Sequence, residues 1–166
     1  MTSSGRVWKF GDDVNTDLII PGRYLSSYDA AHLAKHAMEG LSGSFAKDVR
    51  PGDVIVAGTH FGCGSSREQA VIALKSAGVS AVVAKSFARI FYRNAVNLGL
   101  PVLVSADASE NFEDGDMAAV DIPSLKIASA DGSKVSVIEG VPEHVRAILE
   151  SGGLVPHLRA RIEKGR

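Results

Sequence analysis

Residues 54–104 read VIVAGTHFGCGSSREQAVIALKSAGVSAVVAKSFARIFYRNAVNLGLPVLV, and the order of elements in this stretch decides the fold. VIVAG (54–58), AVVAK (81–85) and PVLV (101–104) are short apolar, β-branched runs bounded by glycine or proline. Such runs are buried strands. Between the first two, REQAVIALKSAG (67–78) sets Ala70, Val71, Leu74 and Ala77 on one helical face and stops at Gly78. Between the last two, FARIFYRNAVNLG (87–99) carries Phe87, Ile90, Phe91, Asn94, Ala95 and Leu98 at i, i+3, i+4 spacing. Strand, helix, strand, helix, strand predicts a parallel sheet joined by right-handed crossovers.

Upstream, RVWKF (6–10) predicts a strand entering the acidic turn Gly11-Asp12-Asp13. The apolar run Leu18-Ile19-Ile20 stops at Pro21-Gly22. Asp29 is placed to cap a helix over AAHLAKHAMEG (30–40), and Pro51-Gly52-Asp53 reads as a turn. Downstream, MAAVDI (117–122), LKIAS (125–129) and KVSVI (134–138) surround turns at Pro123 and Asp131-Gly132, which predicts a small antiparallel section. PEHVRAILESGG (142–153) predicts a helix with Pro142 at its start and Gly152 past its end. The expected class is α/β, one domain over residues 1–166, with a parallel central sheet, a smaller antiparallel layer and flanking helices.

The bulk numbers narrow the function. The chain has 166 residues, 45% of them hydrophobic, enough for one sizeable core. A net charge of -1 and dispersed basic residues give no field for nucleic acid or an anionic membrane. No apolar run approaches the ~18 residues that cross a bilayer. The start, MTSSGRVWKF, carries no apolar signal stretch, and one cysteine permits no internal disulfide, so a cytoplasmic protein is expected.

The loop HFGCGSSREQA (60–70) concentrates chemistry-bearing residues. A dinucleotide fingerprint needs a third glycine where Arg67 stands, and an acid where Ala84 and Lys85 stand. A P-loop needs Lys after Gly64, which Ser65 and Ser66 follow instead. The G-x-S-x-G elbow is absent. What remains is a strand ending at Gly58 and a helix starting near Ser66, beyond the carboxyl end of a strand, where open α/β sheets bind ligands. A helix N-terminus offers free N–H groups and about +0.5 of a charge, and Arg67 adds a planar fork suited to a carboxylate. The loop therefore reads as an anion site flanked by two hydroxyls. Ser65 with Glu68, and Ser66 with Gln69, also match capping boxes, so one serine can cap while the other faces the site.

Cys63 admits three readings: nucleophile with His60 as base, metal ligand, or small packed residue. No Cys-x-x-Cys or His-x-x-x-His spacing supports a ligand, and packing is the reading preferred. His32 and His36 lie i, i+4 without the glutamate of a metalloprotease helix, and read as a solvated face.

GDDVNTDLIIPGRYL (11–25), GTHFGCGSSREQAVIALKSAG (58–78) and AKSFARIFYRNAVNLGLPVL (84–103) together resemble the small subunit of the isopropylmalate dehydratase and homoaconitase group of the aconitase superfamily. The resemblance covers nearly the whole chain, including ILESGGL (148–154). It implies a swivelling β/β/α domain and a hydro-lyase that dehydrates and rehydrates a 2-hydroxy acid. It implies a [4Fe-4S] cluster on an iron-sulfur large subunit. This chain has one cysteine, and such clusters take several thiolates, so it cannot hold the cluster by itself. The resemblance assigns Ser65 as the base that removes the carbon-bound proton, and Ser66 and Arg67 as holders of substrate carboxylate. Asp17 matches an acidic active-site position, beside the alternative of an Asx turn after Asn15-Thr16. Lys85, Ser86, Arg89 and Asn94 are expected to support the loop.

Substrate choice in this group resides after Tyr24-Leu25. Homoaconitase-like members carry arginine there, and isopropylmalate-type members carry apolar residues. Here the positions are Ser26 and Ser27, neither charged nor apolar, and two hydroxyls do not form a good isopropyl pocket. Without a fork for a buried carboxylate a tricarboxylate is disfavoured, although Arg23 turned inward would restore one. The expectation is an isopropylmalate-type dehydratase, followed by small alkyl malates such as dimethylmalate or methylmalate, with a homoaconitase-type subunit, a non-catalytic binding module and a Cys63–His60 hydrolase behind.

Overall fold

The computed structural model describes residues 2–165. In chain order the elements are β1 (Thr2–Lys9), α1 (Thr16–Ile19), a 3-10 turn (Gly22–Tyr24), α2 (Ala30–Ala34), α3 (Phe45–Asp48), β2 (Val54–Ala57), α4 (Glu68–Ala77), β3 (Ala81–Ala84), α5 (Arg89–Leu98), β4 (Val102–Val104), α6 (Ala108–Asn111), β5 (Met117–Asp121), β6 (Lys126–Ser129), β7 (Val135–Val137), α7 (Glu143–Glu150) and α8 (Leu154–Lys164). The strands line up in the order β4-β3-β2-β1-β5-β6-β7. β1 to β4 pair in parallel, and β5 to β7 continue from β1 antiparallel.

Strand β1 joins the two halves. Its residues Val7 to Lys9 pair with Val54 to Val56 of β2, while Thr2 to Arg6 pair with β5. At the changeover a Cβ on Gly5 would lie 2.4 Å from the Gly52 carbonyl oxygen, so only glycine fits. Buried Asp53 pins the same crossing. Its carboxylate accepts N–H groups from Arg6, Arg50 and the Trp8 indole, each at 2.9 Å. Strand pleating then sends alternate residues to opposite faces. Trp8, Ile55, Ala57, Val82, Ala84 and Val102 face a core covered by α1, α2, α4 and α5, with Val145 and Leu149 of α7. Val7, Val54, Val56, Ala81, Val83 and Leu103 face a second core closed by Ala108 and Phe112 and by Ala118, Val120, Ile127 and Ile138 of the antiparallel section. The expected layering of helices, parallel sheet and antiparallel layer is what forms.

Several local expectations shift. Strand β1 starts at Thr2 rather than Arg6, because TSSG is small and polar and its pairing with β5 is invisible to hydropathy. Leu18 and Ile19 of the early apolar run form a helical turn, and Ile20 after them is extended. Asn15 caps a single turn there by accepting the Leu18 N–H at 3.0 Å. Asp29 caps α2 as expected, but the helix stops at Ala34 rather than Gly40. The chain leaves the helix so that Met38 N–H donates to Ile19 O (2.7 Å) and Gly40 N–H to Leu18 O (3.2 Å), satisfying the carbonyls at the end of α1. Along α5 the buried residues are Phe91, Ala95 and Val96, and Ile90 is exposed. Helix α8 gave no sequence signal, since none of its side chains is buried. No described helix is long and apolar enough to cross a membrane.

Candidate active site

The carboxyl ends of β1 to β3 open on one edge, and the loops that follow them are stitched together there. Beyond β1, Gly58 N–H donates to Gly11 O (3.1 Å), Asp13 N–H to Thr59 O (2.8 Å), Gly62 N–H to Val14 O (2.8 Å) and Thr16 N–H to Cys63 O (2.9 Å). These bonds carry the β1–β2 pairing past the strand ends, and Thr16 Oγ1 closes the seam by donating to Ser65 O (3.0 Å). On the other flank Phe61 N–H donates to Ser86 O and Ala88 N–H to Phe61 O, both at 3.0 Å. Buried Phe61 anchors the loop from below, edge-on to Phe91 at 5.3 Å and to Phe87 at 6.1 Å. The loop is thus fixed on both sides before it reaches its serines.

That stitching brings Asp17 to Arg67 across 50 positions of sequence, and their side chains form an ion pair. The Arg67 side chain is only 16% exposed while that of Asp17 is 66% exposed. Arg67 Nη1 also lies 3.4 Å from Ile20 O, so the guanidinium is held on one side, and its other N–H groups have no partner among the described residues. Ser65 and Ser66 are exposed beside it, and among the described residues neither hydroxyl has a hydrogen-bond partner. Neither capping box forms: α4 starts at Glu68 with Arg67 as N-cap and no side-chain cap. Arg67, extended at φ -135° and ψ 104°, takes the N-cap position itself, which leaves Ser65 and Ser66 outside the helix. Arg67, Ser65, Ser66 and Asp17 are the candidate residues that the fold brings together.

The remaining candidates sit around this group. Ser26 is exposed, and Ser27 Oγ accepts the Asp29 N–H at 3.0 Å, a turn-forming contact. Arg23 does not turn inward. Its guanidinium pairs with Glu39 and lies 4.7 Å from the Tyr24 ring centroid. Cys63 is a free, partly exposed thiol, and the His60 ring does not serve it: His60 Nδ1–H donates to Asp13 Oδ1 at 3.1 Å. Among the described residues no three His, Cys, Asp or Glu side chains are grouped to hold a metal ion. Ser86 supports the loop as expected, its Oγ accepting the His60 N–H at 2.8 Å. Lys85 turns instead to Glu110 at 2.5 Å, and this partner raises its pKa. Neither Arg89 nor Asn94 has a side-chain bond to the loop among the described residues. At the rim, the Thr59 backbone N–H holds the Asp12 carboxyl below its ordinary range.

The histidine pair is not a solvated face. His36 stacks on Tyr24 with centroids 3.7 Å apart, His32 meets both rings edge-on, and all three are half-buried. Sequence reasoning missed two residues that meet this region. Glu39 accepts from Arg23, Tyr24 and His36, and buried Gln69 donates to Leu25 O at 3.2 Å. The spacing of His36 and Glu39 was the available signal for the first, and a polar side chain on the buried face of α4 for the second.

The aconitase C-terminal domain model matches residues 22–107. The chain is 52% identical over 161 residues to the methanogen homoaconitase small subunit of Methanothermobacter thermautotrophicus, covering 97% of this chain and 93% of that protein. It is 54% identical over 151 residues to 3-isopropylmalate dehydratase small subunit 1 of Methanopyrus kandleri, covering 91% and 89%. The crystal structure of 3-isopropylmalate dehydratase from Methanocaldococcus jannaschii superposes with a TM-score of 0.94 at 49% identity, covering 99% of this chain and 98% of that one. This chain belongs to the aconitase C-terminal domain family.

Proposed function

We propose that the chain is the small subunit of a cytoplasmic hydro-lyase that interconverts 3-isopropylmalate and 2-isopropylmalate, acting with an iron-sulfur large subunit. The observation that carries this reading is the exposed Ser65 hydroxyl, without a hydrogen-bond partner among the described residues, two positions before the Arg67 fork that pairs with the exposed Asp17 carboxylate. Full-length similarity to proteins named as small subunits supports the need for a partner.

In this reading Ser65 takes the carbon-bound proton. A free serine is a weak base, and its alkoxide needs positive potential, which Arg67 and the start of α4 supply. Ser66 and the free N–H groups of Arg67 hold a substrate carboxylate. Asp17 keeps the guanidinium in place and presents a second carboxylate to the reacting centre. The [4Fe-4S] cluster does not fit this chain, whose single cysteine cannot supply the thiolates it takes. The cluster belongs in our reading to the large subunit.

Substrate class follows from the 23–27 loop. Ser26 and Ser27 carry no charge, and Arg23 is engaged by Glu39, so the loop offers no free fork to a third carboxylate. An apolar distal group is thereby preferred over a tricarboxylate. The test is an anaerobic assay of the reconstituted pair with 3-isopropylmalate, small alkyl malates and a homoaconitate-type acid. Highest kcat/KM on 3-isopropylmalate, with Ser26→Arg raising activity on the tricarboxylate, is the expected result. Preference for the tricarboxylate by the unaltered pair, or no gain from Ser26→Arg, contradicts the loop assignment.

A further inference from the structure

The loop that follows the 3-10 turn has no regular structure of its own, yet one carboxylate gathers its neighbours. Glu39 Oε1 accepts the Tyr24 hydroxyl at 3.0 Å and pairs with Arg23, while its Oε2 accepts the His36 Nδ1–H at 2.6 Å. The carboxylate can only accept, so His36 carries its proton on Nδ1. The Tyr24 ring is held in turn by the stacked His36. One residue further on, Leu25 O is fixed by Gln69, two positions after Arg67 on the chain. The start of the loop is therefore tied through Arg23 and Tyr24 to Glu39 and, at the next residue, through Leu25 to the first turn of α4.

We infer that Glu39 is the positioning residue that sets where residues 23–27 stand relative to Ser65 and Arg67. The geometry leaves it no other evident task. It lies beyond the end of α2, and its three partners come from two segments, the 3-10 turn and the chain around His36, whose Tyr24 and His36 rings also stack. Burial alone would push the Glu39 carboxyl up. The bonds from His36 and Tyr24 and the nearby Arg23 charge outweigh it and hold the carboxyl below its ordinary range, as expected for an anion its surroundings are built around. Without the charge, Arg23 is released, and Tyr24 and His36 lose their shared acceptor. Released Arg23 would then add a mobile cation where the proposed substrate loop has none.

The inference rests on the proposed role of the loop, so its test reads position and selection separately. Amide hydrogen exchange on the full chain follows Leu25, Ser27 and Asp29, whose N–H groups bond to Gly22 O, Tyr24 O and Ser27 Oγ. In Glu39→Gln, exchange at these amides is expected to rise roughly tenfold, the scale of one lost charge-assisted bond, while Gly62 and Thr16 keep wild-type protection. Tyr24→Phe, which keeps the ring and removes only its bonds to Glu39, should move the same amides less. In the reconstituted enzyme KM for 3-isopropylmalate should rise severalfold with kcat kept, and discrimination against the tricarboxylate should fall. Unchanged exchange at residues 25–29 in both variants overturns the inference. Faster exchange with unaltered KM and discrimination leaves Glu39 as the anchor and instead removes the loop from substrate selection.

Discussion

Two glycines two residues apart in the 60–70 loop, Gly62 and Gly64, should respond very differently to the same substitution. Both have positive φ, 81° and 93°, so an alanine at either pays the left-handed backbone penalty of about 1–2 kcal/mol. Only Gly62 is also packed. A Cβ there would lie 2.1 Å from Phe91 Cγ and 2.4 Å from Phe91 Cβ, whereas at Gly64 the nearest atom is Thr16 Oγ1 at 3.5 Å. Phe91 is 3% exposed and locked edge-on against Phe61, so it cannot yield cheaply. Overpacking of this kind adds about 1–3 kcal/mol. Gly62→Ala should therefore lose about 2–5 kcal/mol and Gly64→Ala about 1–2 kcal/mol. For a chain of this size 1 kcal/mol moves Tm by about 2–4 °C, so thermal melts should place Gly62→Ala roughly 2–12 °C below Gly64→Ala. Equal melting temperatures would show that the aromatic contact does not clamp the loop.

Asp53→Ala should cost about 3 kcal/mol in urea unfolding, because the buried Trp8 N–H and the part-buried Arg6 and Arg50 N–H groups lose their acceptor, while Asp53→Asn, which keeps one oxygen, should cost less. Equal costs would refute the three-donor account. Acid should also destabilise the fold. Asp131 has its pKa lowered by the Ser129 hydroxyl and then by the Ser133 N–H and hydroxyl, and that of Asp116 is lowered by the Glu113 N–H and Lys134. A depressed folded pKa gives stability that is complete above the unfolded value, about 4, and is lost as pH falls through the folded one. Tm should hold from pH 7 to about pH 5 and then fall, with a shallower fall in Asp131→Asn; a profile flat to pH 3 would contradict it. Arg67→Lys, which loses the fork, should raise KM in the reconstituted enzyme more than it lowers Tm, since Arg67 is seated but its pair with Asp17 is half in solvent.

The parallel half of the fold was legible because its strands are continuous apolar runs and its two long helices end in glycine, at Gly78 and Gly99. The antiparallel strands were legible from their turns. What hydropathy could not carry was the first half of β1, made of small polar residues, the early end of α2, dictated by the carbonyls of α1, and α8, which buries nothing. At the site, the GSSRE loop was legible from composition, and Asp17 entered only through resemblance. Its pairing with Arg67 depends on a seam between residues 11–16 and 58–65 made mostly of backbone bonds, to which only the Asp12 and Thr16 side chains add. Glu39 was missed for a related reason: its partners Arg23 and Tyr24 lie 16 and 15 positions away, outside any helical repeat.

The central claim is that Ser65 removes the proton and that this chain does so only beside its cluster-bearing partner. The direct measurement is the dehydration rate of the anaerobically reconstituted pair with Ser65→Ala, alongside KM and subunit affinity. The account predicts a fall in kcat of about 10²–10⁴-fold, with affinity for the large subunit and Tm unchanged, and no turnover by either subunit alone. A Ser65→Ala enzyme that retains kcat within a few-fold of the unaltered pair would contradict it.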